Sequence, residues 1–194
     1  SIFVSSLAVN LYTATNVVVL GMLTNNVIVG YYSAADKLII CVRRGIYAVS
    51  DAIYPFISKM MKDDIPKGLQ FIKKQLFLYL IIGVVGCTSL FFFSDTIVRL
   101  LFGADYDLTV DVLRILSFVP LAVAISTVFG EETMLPLNMN SAYSRTLVLG
   151  AFFSLISIFP LCYLWGAKGV AITMLLTEFL IMSIMGGLLR KQLF

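Results

Sequence analysis

The 194-residue sequence contains no histidine, three cysteines, one tryptophan and few charges, 13% of the chain. Without histidine there is no H-E-x-x-H zinc site and no Ser-His pair. A G-x-S-x-G elbow and a glycine-rich phosphate loop are also absent, and no acid pair stands in a catalytic setting, so catalysis is not expected. Asp105 and Asp107 lack a third ligand at EF-hand spacing, so no metal and no cofactor is expected. Cys41, Cys87 and Cys162 each lie inside an apolar stretch and form no C-x-x-C pair, which reads as small core or lipid-facing residues rather than a disulfide framework. The net charge of +3 is too small and too scattered for a nucleic-acid footprint. No Met, basic n-region or cleavage site opens the chain at Ser1, so no signal peptide is visible and further sequence upstream is expected.

What is present is apolar surface: 60% hydrophobic residues and a mean hydropathy of +0.98. Soluble domains carry roughly 45–50% apolar and 25% charged residues, so the solvent here is a bilayer. Six stretches are long enough to cross about 30 Å of hydrocarbon as helices. They are 2–23, 31–58, 76–94, 111–133, 146–164 and 169–189, which predicts an all-α integral membrane protein built as one six-helix lobe. Between them, 59–75 (KMMKDDIPKGLQFIKKQ) predicts a short amphipathic surface helix begun near Pro66, and 95–110 predicts an acidic loop with a glycine turn. Pro55, Pro120 and Pro160 are expected to bend spans two, four and five. No G-x-x-x-G dimer face stands out.

Basic residues between the spans set the orientation. Lys59, Lys62, Lys67, Lys73, Lys74, Arg145, Arg190 and Lys191 fall on one side, Arg99 and Lys168 on the other. Both chain ends and the 59–75 and 134–145 loops are therefore expected in the cytoplasm, with Tyr163 and Trp165 at the opposite interface. Arg114 beside Asp111 reads as an interfacial ion pair or a snorkelling side chain.

The second span carries the polar chemistry. An arginine at the bilayer centre costs about 2.5–3.5 kcal/mol, and Arg43 and Arg44 sit near the middle of this helix. On a helical wheel Asp36, Lys37, Arg43, Arg44, Tyr47 and Asp51 fall within an arc of roughly 120°, while Leu38, Val42, Ile46, Val49, Ile53 and Phe56 fill the far side. Such a stripe must face protein or an aqueous cavity. It reads either as an internal salt-bridge network or, because three cations outnumber two acids and guanidinium suits phosphate, as a site for an anionic substrate. Ser6, Asn10, Thr13 and Asn16 give the first span a polar face that either bonds sugar hydroxyls or joins helices. Glu178, with Thr173 and Thr177 one turn apart, is either an ion-coupling carboxylate or a structural hydrogen-bonding group.

Several patterns occur in order along the chain: VGYYSAADKLI at 29–39, YP at 54–55, IVRLLFGADYD at 97–107, VLRILS at 112–117 and WGAKGVAITMLLTE at 165–178. In these the sequence resembles the carboxyl-terminal half of Wzx-type O-antigen or polysaccharide flippases of the multidrug/oligosaccharidyl-lipid/polysaccharide exporter superfamily. That resemblance implies a twelve-helix transporter of the bacterial inner membrane, of which this chain is the second lobe. It further implies alternating access and a substrate linked to undecaprenyl pyrophosphate. The implied partners are the lipid-linked oligosaccharide, membrane lipid, the missing amino-terminal lobe and the polysaccharide polymerase machinery. Lys37, Arg43 and Arg44 would then meet pyrophosphate or acidic sugar, with Asp36, Tyr47, Asp51, Asn10 and Asn16 in the same cavity and Glu178 in ion coupling. A cation-coupled drug exporter of the same superfamily, which wants a negative cavity, and a non-transporting membrane scaffold are the competing readings.

Overall fold

A computed structural model describes the backbone of residues 2–193 and the side chains of 13–190, 192 and 193. Among the described residues there is no strand. The helices are α1 (Ile2–Leu23), α2 (Asn26–Asp63), α3 (Ile65–Phe102), α4 (Asp107–Leu116), α5 (Val119–Thr127) and α6 (Asn140–Leu193), with a π-helical turn at Val128–Met134 between α5 and α6. Three stretches are long and apolar enough to cross a membrane, Ile65–Phe102, Asp107–Met134 and Asn140–Arg190.

Local chemistry fixes the joints. Asn25 caps α2, its side chain accepting from the Ile28 amide at 3.0 Å. Asp64 ends α2 and caps α3, accepting from the Lys67 amide at 3.1 Å, with Pro66 in the first turn where its missing N–H costs nothing. The 59–75 segment is therefore not a separate short helix. It is divided at Asp64 between two 38-residue helices, each about 57 Å long at 1.5 Å per residue. Lys59, Lys62, Lys67, Lys73 and Lys74 are all exposed around this joint. The expected 95–110 loop shrinks likewise, because α3 runs on to Phe102 and Gly103, at φ 101°, leads into α4.

Of the three prolines expected to bend spans, Pro120 marks a break: α4 stops at Leu116, and α5 starts at Val119 with Pro120 in its first turn. Pro55 and Pro160 lie within α2 and α6. The bend in α6 is at Gly166 instead (φ 54°, ψ −129°), a conformation that L side chains rarely adopt. A methyl group added at Gly169 would overlap the Leu161 carbonyl, and one at Gly150 would overlap the Ile181 side chain. The pairs 161/169 and 150/181 have the register of an antiparallel hairpin, so α6 folds into two arms packed face to face.

Two apolar clusters hold the helices together. One joins Leu20, Tyr32, Ile39, Leu113, Leu116, Ile158 and Met174; the other joins Ile57, Ile72, Met134, Leu147, Ile181 and Leu189. Along α2, along α5 and its π turn, and along both arms of α6, the chain passes from one cluster to the other. The residues in between form a polar layer. At the end of the molecule carrying the α3–α4 and α6 turns, exposed ion pairs gather: Arg99 with Asp95 (2.8 Å) and Asp107 (3.1 Å), and Lys168 with Asp111 (2.7 Å). Asp111 thus pairs across helices with Lys168 and not with Arg114, whose Nε donates to Ser94 Oγ at 3.1 Å.

Candidate functional site

The buried line of α2 runs Tyr32, Ala35, Ile39, Arg43, Ser50, Ile57 and Met61. It is rotated from both faces expected from the wheel and cuts the charged stripe in two. Arg43 turns inward, only 7% exposed, and its Nη2 lies 3.2 Å from Glu178 Oε1 on the second arm of α6, itself 3% exposed. The same nitrogen donates to the Tyr47 hydroxyl at 3.3 Å. Half-buried Asp36 feels the Arg43 guanidinium as well. Lys37, Arg44 and Asp51 are exposed on the outer edge. At seven-residue spacing they form a nearly straight line of about 21 Å along the helix.

A polar cavity of about 60 Å³ adjoins the buried pair, lined among others by Arg43, Tyr47, Ser126, Thr127, Glu131 and Tyr143. The π turn supplies its acidic wall. Here Leu135 N–H reaches back to Gly130 O, and Thr133 Oγ1 donates to Val128 O at 2.7 Å, which turns the consecutive Glu131 and Glu132 into the protein. Gly130 is required because a methyl group there would overlap the Tyr143 ring, whose hydroxyl hydrogen-bonds Glu131. Glu132 is fully buried. Ser50 Oγ lies 2.6 Å from its Oε1, and Gln75 Nε2 donates to its Oε2 at 2.6 Å.

Asn16 is buried on α1, its amide bonded to the Tyr32 hydroxyl, which also donates to the Met174 sulfur at 3.9 Å. It belongs to the helix packing beside Asp36 and not to the exposed line. The side chains of Asn10 and Ser6 lie outside the described residues. Thr173 and Thr177 donate to carbonyls of their own helix, Gly169 O and Thr173 O.

The cationic surplus expected of this region does not survive in three dimensions. Glu178, Glu131 and Glu132 join Asp36 and Asp51, giving five carboxylates against Lys37, Arg43 and Arg44. The sequence reading passed over Glu131 and Glu132, although two adjacent acids ending an otherwise apolar span were the available signal. No group of three or more potential metal-ligating side chains occurs among the described residues.

The family described as polysaccharide biosynthesis protein matches residues 1–61. A protein of Escherichia coli (strain K12) named as an O-antigen transporter is 34% identical over 191 residues, 98% of this chain and 46% of the relative. A second, from Shigella dysenteriae and named likewise, is 30% identical over 183 residues, 94% of this chain and 46% of the relative. The chain thus spans about half the length of the curated relatives it matches. No solved structure is significantly similar to it.

Proposed function

We propose, from its similarity along nearly its whole length to proteins named as O-antigen transporters, that the chain forms one six-helix lobe of a flippase for lipid-linked polysaccharide repeat units. The observation that carries this reading is the exposed line of Lys37, Arg44 and Asp51 along the middle of α2. Charges at that depth cannot face lipid tails, so the line faces water and a second lobe across a cavity. Its net charge is positive. Arg44 offers a planar fork that suits a phosphate or carboxylate, and Lys37 a point charge one heptad away.

Arg43 has a different task in this reading: bonded to Glu178, it ties α2 to α6 so that the lobe rocks as one body during alternating access. Asp36, Tyr47 and Asn16 then position that pair, with Asn10 on the same helix as Asn16. The lysines around Asp64 mark the cytoplasmic end of the lobe in the bacterial inner membrane. The excess of carboxylates favours, as a second reading, a cation-coupled exporter of the same superfamily. Glu132 and Glu178 are buried, however, and the edge open to a substrate remains cationic.

Complementation of a flippase-deficient bacterium with the full-length protein tests the proposal, read as long-chain surface O-polysaccharide. Arg44→Gln should lower it at least tenfold at unchanged membrane level, and Arg44→Lys should retain part of it. Wild-type polysaccharide in both Arg44→Gln and Lys37→Gln would sink the anion-carrying edge and move a scaffold role ahead.

A further inference from the structure

Among the described residues Glu132 is the fully buried carboxylate of the polar layer whose neutralisation the transporter reading leaves open. Its side chain sees no solvent, and no lysine or arginine among the described residues acts on it. Its two hydrogen-bond partners, Ser50 and Gln75, are uncharged. The titratable groups around it are Glu131 on the same turn, which in turn faces Asp51 of α2 and Tyr143 of α6, and Tyr79 of α3. All of them are acids or phenols, so none supplies a positive charge. A carboxylate so placed must be neutralised from outside, by a proton or by a cation.

The partner geometry distinguishes the two. Gln75 turns its amide N–H, not its carbonyl, to Glu132 Oε2, which repels a cation there, and no group of three or more metal-ligating side chains occurs among the described residues. The Ser50 hydroxyl donates to Oε1 at 2.6 Å, and turned about its Cβ–Oγ bond it accepts a carboxyl O–H at the same distance. On the far side of the amide, Gln75, only 7% exposed, lies against the Tyr79 hydroxyl.

We propose that Glu132 is a proton-binding site, held in this conformation as a neutral carboxylic acid whose O–H donates to Ser50 Oγ and whose other oxygen accepts from Gln75 Nε2. Loading adds one proton from water to the carboxylate, and release returns it. Three elements meet at this group: α2 through Ser50, α3 through Gln75, and the π turn that carries it. Deprotonation places an uncompensated charge at their junction and loosens it. The binding stands on the geometry alone; that the proton drives movement of a polysaccharide rests on the transporter reading.

Infrared spectroscopy of the full-length protein in lipid nanodiscs tests the site without reference to transport. At neutral pH the wild type should show a protonated-carboxyl C=O band that Glu132→Gln lacks, that Glu178→Gln keeps and that Ser50→Ala shifts by removing the acceptor. If Glu132→Gln fails to fold, the Ser50→Ala shift carries the assignment. A carboxyl region unchanged in Glu132→Gln or Ser50→Ala overturns the proposal, as does a band that sodium removes at constant pH, which would make the group a cation ligand. A band assigned to Glu132 in a protein that restores no surface polysaccharide in any glycan background leaves the proton site standing and removes the flippase reading.

Discussion

Glu178 and Glu132 are both buried in the same polar layer, between the same two apolar clusters, yet they are neutralised by different means. Glu178 projects from a regular helix arm onto α2 and meets the Arg43 guanidinium at 3.2 Å. Glu132 projects from a π turn and meets a serine hydroxyl and a glutamine amide at 2.6 Å each. A charge matched by a fixed counter-charge needs both partners to stay put, so Glu178 acts as a strut between helices. A carboxyl group matched only by uncharged partners exchanges its neutraliser with the surroundings, so Glu132 is the labile member. Burial alone, the same for both, does not set how a carboxylate is neutralised; the partner does.

The sharpest way to break this contrast is to strip each carboxylate of its partner. Arg43→Ala leaves Glu178 buried without the Arg43 guanidinium and should cost about 3–5 kcal/mol, the range for removing one half of a buried pair. Thermal unfolding in detergent measures the loss, and the double variant Arg43→Gln/Glu178→Gln should recover most of it. A next, smaller effect comes from Gly130→Ala. The added methyl group overlaps the Tyr143 ring, and overpacking of that kind costs about 1–3 kcal/mol. Tyr143, Glu131, Arg43 and Glu178 line one cavity, so Gly130→Ala and Arg43→Ala should lower stability non-additively.

Glu132→Gln should cost no more than about 1 kcal/mol, because the amide offers one donor and one acceptor where the neutral acid does and keeps both Ser50 and Gln75 bonded. If it destabilised as much as Arg43→Ala, Glu132 would be an ionised group bound to an unseen cation and the contrast with Glu178 would vanish. Melting curves of the two variants at one pH decide the matter.

What the sequence told in advance follows from which physical signals are one-dimensional. Hydrophobic run length and a proline that starts a helix act within a few residues, so the helical class and a helix start near Pro66 were legible. The wheel identified the charged arc of α2, but not the face that packs. Packing is chosen by the neighbours, and the buried line through Ile39, Arg43 and Ser50 combines apolar and polar positions because α6 presents Glu178 and the π turn presents Glu132. The continuity of α2 and α3 through 59–75 was missed for a related reason. Lysines at helical spacing look like a surface helix, and the two-residue economy of an Asp64 cap followed by Pro66 shows only in the backbone. The π turn had no sequence signal beyond the adjacent acids.

The smallest effect belongs to the far end of the molecule, where Lys168 and Asp111 pair at 2.7 Å with both side chains nearly half exposed. It has shorter geometry than Arg43–Glu178, and a count of ion pairs by distance would rank it as the stronger. Water solvates both charges before and after the pair forms, however, so removing one partner strands nothing. Lys168→Ala should therefore cost only about 0.2–1 kcal/mol, and the difference should shrink further as salt rises, because exposed charges are screened. Arg43→Ala should show no such salt dependence, its partner being shielded from ions by the surrounding helices. Unfolding midpoints of the two variants at low and high ionic strength separate the cases, and a salt-sensitive Arg43→Ala would mean that solvent reaches the polar layer in the folded protein.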